Sequence, residues 1–392
     1  MVNKKSNKKY NKKFYTKTEG IGGRIKQRIE DFKVEEIPKK TFPLHDLMKR
    51  KDDKKYTVFW MEKFNWDTQG ALMALAYQLR VYANVFSIAG TKDKRAITKQ
   101  QVSTDLSASR LKSVRVKDIK LYNFSQGRKL ELGDLDGNSF EIVVRNIELQ
   151  KDETEKRLSE IQKELEKGIP NYFGPQRFGI TRPITDVVGK EIIKGDLENA
   201  MRIYLCKVFP DEAEESKEAR KFLDKHWNKY GYNKALEIYP TRLKYERLII
   251  SHLAENPKDF EGAFGRIPRR LRKIFPNAVQ SRIFNRVLKK VGPVEGEIPI
   301  IGFDTVFGRN NLSGLIKKIL KDEEIKASDF NIKILRDMKC SGGFRKAKLI
   351  PKNFKWKIEE DDYNEGKLKI IFNFILPSGS YATIVLKEIM KN

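Results

Sequence analysis

The sequence of 392 residues is poor in the residue types that build disulfides and metal sites. It contains two cysteines, Cys206 and Cys340, and three histidines, His45, His226 and His252. None of them lies at the Cys-x-x-Cys or His-x-x-x-His spacing typical of a zinc site. We therefore predict no bound metal and a reduced, cytoplasmic protein.

Long apolar runs are also missing. No stretch approaches the roughly 20 apolar residues that span a bilayer, and the lysine-rich N-terminal run has no apolar segment typical of a secretory signal. We expect no membrane association. The sequence has no Gly-x-x-x-x-Gly-Lys-[Ser/Thr] motif, which argues against a P-loop nucleotidase. Residues 20–23 (GIGG) are only a weak match to the glycine-rich cofactor loop of a methyltransferase.

Positive charge, in contrast, is abundant. Lysine and arginine number 80 against 53 aspartates and glutamates, which gives a net charge of +27. A surplus of this size predicts a polyanionic partner, and nucleic acid is the first candidate.

The surplus begins at the N-terminus. Residues 1–18 contain seven lysines and no acid, so we predict a basic, disordered tail over residues 1–20. Tyr10, Phe14 and Tyr15 lie among these lysines, a composition that suits contact with phosphates and stacking on bases. A tail that only keeps the chain soluble fits the same composition equally well.

The length favours two domains, because a single core seldom grows beyond about 300 residues. Strand-like patterns lie at residues 24–37, 56–61, 85–89 and 367–376. A hairpin is predicted in which residues 130–132 and 140–144 flank a turn at Asp136 and Gly137.

Helical patterns separate these strands into two groups. One helix is predicted to begin at Asp67, another to cover residues 152–167 and end at Gly168, and a last one to be capped by Ser380. Residues 171–339 are mostly helical in pattern. The order predicts an α/β (α+β) domain, interrupted by a helical insertion and completed by a C-terminal strand and helix.

The most informative segment is residues 90–100, GTKDKRAITKQ. Here Asp93 lies beside Lys92, Lys94 and Arg95, directly after an apolar run that predicts a strand. Neighbouring cations keep a carboxylate ionised, which suits a nucleophile or a clamp on a polyanion. A charge run is more often a solvated face, so spacing alone favours that interpretation.

Five segments in order resemble the TruD family of RNA pseudouridine synthases. They are residues 30–36 (EDFKVEE), 90–98 (GTKDKRAIT), 137–140 (GNSF), 171–179 (NYFGPQRFG) and 376–383 (LPSGSYAT). The resemblance runs from about residue 21 to residue 391. It implies a permuted pseudouridine synthase catalytic domain with a mixed, largely antiparallel sheet at residues 21–168 and 345–392. It also implies a mostly helical, TruD-specific domain inserted at residues 169–344.

This resemblance implies a reaction and a partner. Members of the family isomerise a uridine of tRNA, typically uridine 13, to pseudouridine, and some relatives accept other RNA sites. Because substrate and product are isomers, we expect no cofactor and no metal. Asp93 matches the catalytic carboxylate, and Lys26 matches the cation that keeps a buried carboxylate ionised.

Substrate contacts follow from the same match. Phe140 corresponds to the aromatic that stacks on the extruded base, and Asn138 to its polar neighbour. Without the resemblance, Phe140 would be read as a core residue and Asn138 as a turn former. The further predicted substrate contacts are Asn171, Gln176, Arg177, Lys92 and Arg95.

A non-catalytic RNA-binding factor is the alternative hypothesis. The net charge and the tail support it as well as they support an enzyme. Asp93 favours the enzyme, because a protein that only binds phosphates gains nothing from an acid in its basic segment.

Overall fold

The computed structural model describes residues 14–40 and 55–392, which form two compact units. Unit 1 comprises Met1–Ile169 and Leu349–Asn392, and unit 2 comprises Pro170–Lys348. The predicted insertion, residues 169–344, differs from unit 2 by one residue at its start and four at its end. His45 and residues 1–13 of the predicted tail lie outside the described residues.

Strands and helices alternate along the described chain. The strands are β1 (Arg24–Ile25), β2 (Phe32–Pro38), β3 (Tyr56–Phe64), β4 (Phe86–Ile88), β5 (Ile97–Thr104), β6 (Ile119–Gly127), β7 (Leu135–Ile147), β8 (Ile169–Pro170), β9 (Glu297–Ile300), β10 (Gly343–Lys346), β11 (Lys348–Leu349), β12 (Lys352–Glu360) and β13 (Leu368–Pro377). The helices are α1 (Thr68–Leu79), α2 (Ala108–Lys112), α3 (Lys151–Glu166), α4 (Thr185–Lys194), α5 (Leu197–Cys206), α6 (Glu214–Lys225), α7 (Lys229–Ile238), α8 (Lys244–Glu255), α9 (Phe260–Gly265), α10 (Arg269–Arg272), α11 (Ile274–Val291), α12 (Asn311–Asp322) and α13 (Ala382–Met390).

Unit 1 is built on one twisted sheet in the order β12-β13-β7-β2-β5-β3-β6, with β1 added on β7 and β4 on β5. Only the β2–β5 pair of this sheet is parallel among the described strands, and the other pairs are antiparallel. Helix α1 packs on the inward residues Phe59, Met61 and Val102. The predicted α/β class with a mixed, largely antiparallel sheet is confirmed.

Unit 2 is mostly helical, as its sequence pattern predicts. Its core includes Val188, Leu253, Phe264 and Phe284, all fully buried. The antiparallel pair β9–β10 was not predicted. Strand β12 of unit 1 was also missed, because only Phe354, Trp356 and Ile358 alternate with lysines and acids and the strand lies at the edge of the sheet.

The predicted hairpin around Asp136 and Gly137 is wrong. Both residues lie inside β7, where Gly137 pairs with Pro377 on one side and Ile37 on the other. A Cβ on Gly137 would lie 2.2 Å from the carbonyl oxygen of Leu376, so the close approach of β13 requires glycine here. The chain turns instead at Gly133, which has a φ of +96°.

The helix boundaries were predicted more accurately at α1 and α3 than at α13. The Asp67 side chain accepts a hydrogen bond of 2.8 Å from the Gly70 amide, as an N-cap should, and Gly168 follows α3 with a φ of +88°. The predicted cap at Ser380 is wrong. Residue Tyr381 precedes the first turn of α13, and the Ser380 hydroxyl is buried without a hydrogen-bond partner in the described chain.

The prediction of a disordered tail over residues 1–20 is wrong for residues 15–18, whose main-chain amides donate to carboxylates. The amides of Tyr15 and Thr16 donate to the Glu388 carboxylate at 3.0 and 2.9 Å. Those of Lys17 and Thr18 donate in the same way to Glu164. Burial raises the pKa of Glu164, but the hydrogen bonds from Thr18 and Lys17 outweigh it and hold this pKa below its usual range.

The close approach at Gly137 gives a first prediction. Gly137→Ala forces a methyl group against the Leu376 carbonyl, so it should destabilise unit 1 by about 1–3 kcal/mol. For a unit of this size that lowers the melting temperature by roughly 2–10 °C in calorimetry. Gly343→Ala is the matched control, because a Cβ there has no heavy atom within 4 Å. Equal melting temperatures for the two variants would contradict the register of β7 on β13.

Candidate active site

Asp93 and Lys26 form the ion pair at the centre of the site. Lys26 Nζ lies 2.7 Å from Asp93 Oδ2, and the Asp93 side chain is 44% exposed. The expectation that Asp93 is buried is therefore wrong, since nearly half of its side chain faces solvent. Lys26 follows β1 with a left-handed φ of 56°. Its ammonium also lies 4.1 Å from the centroid of the Phe32 ring, so the pair rests on an aromatic surface.

The loop that carries Asp93 is fixed by side chains from α1 and β5. Gln100 Nε2 donates to the Gly90 carbonyl at 3.0 Å, and the Lys92 amide donates to Thr68 Oγ1 at 2.9 Å. Thr68 Oγ1 in turn donates to Gln100 Oε1 at 3.0 Å. These neutral hydrogen bonds set the path of the main chain into Asp93.

Lys63 fixes the next part of this loop and was missed from the sequence. Its fully buried ammonium donates to the main-chain carbonyls of Asp93 at 3.0 Å and of Trp66 at 2.5 Å. A signal was present, because Phe59 and Met61 alternate inward on β3 and Lys63 takes the next inward position. A lysine at a core position is rarely left without partners.

Lys92 does not have the predicted accessible position. Its Nζ lies 2.5 Å from Glu36 Oε2, and the two side chains are only 5% and 1% exposed. Glu36 Oε1 also accepts a hydrogen bond of 3.2 Å from the Gln101 amide. The structure therefore gives Lys92 a place in a buried ion pair that ties its loop to β2, in place of the predicted substrate contact.

The turn that supports Lys26 is anchored by Arg145. Arg145 Nε lies 2.8 Å from Asp31 Oδ1, and Nη1 lies 2.7 Å from Asp361 Oδ1. Asp31 Oδ2 accepts a further hydrogen bond from the Arg28 amide at 2.8 Å. Burial raises the pKa of Asp361, but its hydrogen bonds hold this pKa below the usual range, so Asp361 remains ionised.

Phe140 lies in an aromatic cluster of unit 1. It stacks on Phe374 with ring centroids 5.4 Å apart and meets Phe32 edge to face at 6.3 Å. With 7% of its surface exposed, Phe140 has the surroundings of a core residue, and its contact with a base stays a prediction. Phe32 connects it to the Lys26 ammonium.

Asn138 lies in the middle of β7, so the turn-former interpretation is wrong. It pairs with Leu376 on one side and Glu36 on the other. Its Oδ1 is buried and has no hydrogen-bond partner among the described residues. A buried amide oxygen without a partner needs an explanation, and a bound donor is one.

The remaining predicted site residues differ in exposure. Arg95 is exposed and donates to the Gln27 carbonyl at 3.3 Å, close to Lys26 in sequence. Asn171, Gln176 and Arg177 lie in unit 2. Asn171 is 3% exposed, and its amide group donates to the Lys346 carbonyl at 3.0 Å and accepts from Arg345 at 2.9 Å.

Arg177 and Gln176 lie on the 3₁₀ turn Pro175–Arg177. Arg177 Nε donates to Ser281 Oγ at 3.1 Å, while Gln176 is exposed. Of the three predicted contacts in the family string at residues 171–179, Asn171 is buried, whereas Gln176 and Arg177 lie on an accessible turn.

The remaining histidines, cysteines, aspartates and glutamates of the described residues do not form a metal site. Among residues 14–40 and 55–392, no cluster of three or more histidines, cysteines, aspartates or glutamates could hold a metal ion. None of the helices in those ranges is long and apolar enough to cross a membrane. Both cysteines are buried and unpaired, and burial raises the pKa of the Cys206 thiol to about 12 and of Cys340 to about 11.

Comparisons with known proteins identify the family of the chain. The family described as tRNA pseudouridine synthase D (TruD) matches residues 10–295 and 292–389. The chain is 35% identical to the probable tRNA pseudouridine synthase D of Methanosarcina acetivorans, over 96% of this chain and 95% of the relative. It is 36% identical to the Methanopyrus kandleri protein of the same description, over 86% and 85%.

A solved structure supports the same assignment. The crystal structure of the putative tRNA pseudouridine synthase D from Methanosarcina mazei is 34% identical, with a TM-score of 0.74 over 97% of this chain and 96% of that one. The fold and these matches define an isomerase class, and the chain belongs to the TruD family of tRNA pseudouridine synthases.

The buried Lys63 ammonium gives a second prediction, for stability against pH. Burial lowers the pKa of Lys63 from 10.5 to about 8, Asp67 and Asp93 oppose this shift, and Lys92 adds to it. Between pH 8 and 10.5 the unfolded chain holds a proton that native Lys63 has released, so this group makes stability rise with pH.

Urea unfolding of wild type and Lys63→Met at several pH values measures this contribution. The difference in unfolding free energy should stay level below pH 8 and then grow in favour of wild type, by at most about 1.4 kcal/mol per pH unit. Comparing the two proteins at each pH cancels the titration of other groups. A constant difference up to pH 10 would mean that Lys63 is solvated.

Proposed function

We propose that this protein converts uridine in tRNA to pseudouridine, with uridine 13 as its target and Asp93 as the catalytic carboxylate. The observation that carries the proposal is the 2.7 Å ion pair of Lys26 with the half-exposed Asp93. The loop that contains Asp93 is fixed by the buried side chains of Lys63 and Lys92. A carboxylate for covalent or proton-transfer work has to be directed and accessible, and Asp93 is oriented by Lys26 and is 44% exposed.

The isomerisation needs few protein groups. The C1′–N1 bond breaks, the base turns, a C1′–C5 bond forms, the C5 proton leaves and N1 gains a proton. Asp93 would start this sequence either by attacking base or sugar or by helping to remove the C2′ proton. Because no electrons are gained or lost between substrate and product, the reaction requires no redox cofactor.

Lys26 supports Asp93 in two ways. Its positive charge lies against the carboxylate, and its hydrogen bond orients Oδ2 so that Oδ1 is left for the substrate. An ion pair this exposed contributes little to folding, at most about 1 kcal/mol. We therefore assign the pair to function in preference to stability.

The target base has to leave the RNA stack to reach Asp93. We propose that it is received beside Asn138, whose unpaired Oδ1 can accept the N3–H of uracil. Phe140 would contribute the apolar surface, with Phe32 and Phe374 fixing its ring. Arg95, exposed next to the loop, would contact the adjacent phosphate.

Asp93→Asn tests the proposed function directly. The change preserves shape and removes the charge, so pseudouridine formation should fall below detection. Affinity for tRNA should stay equal or increase, because an anion next to a polyanion is removed. Tritium release from C5-labelled uracil in tRNA reports turnover, and filter binding reports affinity.

Asp105→Asn, another exposed aspartate of unit 1, is the matched control and should keep wild-type turnover. Lys26→Met should lower turnover, and Lys26→Arg should restore part of it. Release at the wild-type rate by Asp93→Asn would leave a protein that only binds RNA as the better account.

Asn138→Ala separates a substrate contact from a structural one. Because Asn138 Oδ1 has no hydrogen-bond partner in the described chain, its removal should leave the melting temperature unchanged or slightly higher. Turnover should fall about tenfold, the value of one hydrogen bond of about 1.4 kcal/mol. Ser139→Ala, on the opposite face of β7, is the control. Loss of stability with normal turnover would contradict the contact.

A further inference from the structure

A groove of about 790 Å³ lies beside β6, the edge strand of the unit 1 sheet. Helix α2, the connection that follows it and β6 itself form its walls. Four cations line it: Lys112, Arg115, Lys117 and Lys120. We name this feature the edge groove. Its surface carries one acid, Glu62, among the lining residues.

The four cations are exposed and have no carboxylate partner. None of them forms an ion pair with a carboxylate in the described chain, whereas Lys26, Lys33 and Lys92 all do. Arg115 Nη1 donates to the carbonyls of Lys112 and Val114 at 2.7 and 2.8 Å, which orders the guanidinium without neutralising it. Unpaired cations converging on one groove favour an anionic ligand.

Aromatic rings lie between these charges. Phe124 stacks on Phe59 with centroids 5.8 Å apart, and Lys112 Nζ lies 5.8 Å from the Phe124 ring. Burial raises the pKa of Tyr122, and the charges of Glu62 and Glu35 add to the shift. Tyr122 is therefore a neutral phenol on the groove wall. Cations interleaved with rings are typical of surfaces that follow a nucleic-acid backbone.

The edge groove lies close to the candidate active site within unit 1. The Phe64 amide donates to the Asp118 carbonyl at 3.0 Å, and the next amide, Asn65, donates to the Ala96 carbonyl at 3.1 Å. Ala96 follows Asp93 by three residues. Successive strands are about 5 Å apart, so the groove begins about 10 Å from the end of the Asp93 loop.

A protective role for the lysines is the competing explanation. Lysines on edge strands prevent sheets of different molecules from pairing. Only Lys120 lies on β6, however, whereas Lys112, Arg115 and Lys117 precede the strand. Edge protection therefore does not account for three of the four cations.

We propose that the edge groove binds the sugar–phosphate backbone of the tRNA next to the target nucleotide. This inference rests on the proposed function and adds a binding surface to it. Phosphate contacts fix the register of a nucleic acid without reading its sequence. A nucleotide extruded into the site requires that its neighbours be held, and the edge groove supplies cations within unit 1 for that purpose.

The test compares two triple variants with equal loss of charge. The groove variant carries Lys112→Gln, Lys117→Gln and Lys120→Gln, and leaves Arg115 and its carbonyl contacts intact. The control carries Lys151→Gln, Lys156→Gln and Lys163→Gln on α3, where the three lysines are also exposed and without ion pairs in the described chain. The Kd for a tRNA transcript is measured at several salt concentrations, and turnover at saturating enzyme.

The groove variant should bind tRNA at least tenfold more weakly near 100 mM salt. The slope of log K against log salt should become shallower by about 2, since each lost phosphate contact removes about 0.7–0.9. The α3 variant should keep the wild-type single-turnover rate at saturation. The α3 variant should change Kd and slope much less.

Equal losses in both variants would overturn the inference, because they would reflect net charge alone. An unchanged slope in the groove variant would do the same and would favour an acidic protein as the ligand. These results are separable from failure of the proposed function. If wild type forms no pseudouridine but the groove variant alone loses tRNA binding, the binding surface stands and the enzymatic assignment fails.

Discussion

The position of the Asp93 carboxylate depends on two lysines whose ammonium groups are almost completely buried. Lys63 holds the main-chain carbonyl of Asp93, and Lys92 reaches from the adjacent residue into a pair with Glu36. Taking such charges out of water is unfavourable, so they persist only where hydrogen bonds and opposite charge compensate. The result is a fixed main chain that leaves the Asp93 side chain exposed. Lys26 then orients the carboxylate from the solvent side.

The contrast between buried groups that fix the main chain and side chains left accessible also separates the structural motif residues from the others. Asp31 and Glu36 of the first family motif form ion pairs with Arg145 and Lys92. Gly137 is required because β13 approaches it closely. Asn138, in contrast, keeps a buried oxygen without a partner in the described chain. Asp93, Lys26, Arg95 and Asn138 are the predicted site residues of unit 1 that we propose for contact with a substrate.

Sequence reasoning predicted the features that depend on local spacing. The Asp67 cap, the end of α3 and the alternation in β3 all follow from neighbouring residues. It failed where distant strands decide the outcome. Asp136 and Gly137 have the composition of a hairpin turn, yet pairing with β2 and β13 makes them part of a long strand. Lysine is usually a surface residue. The alternation in β3 indicates burial of Lys63, whereas only the assembled sheet shows that Lys92 is buried.

The pairing of Lys26 with Asp93 was expected from the family motifs, and in the structure Lys26 Nζ lies at hydrogen-bond distance from Asp93 Oδ2. Whether this pair performs the isomerisation is decided most directly by mapping pseudouridine at single-nucleotide resolution in tRNA incubated with the protein. Our account predicts one modified uridine, at position 13, with wild type and none with Asp93→Asn. Modification at that position by both proteins, or by neither, would contradict it.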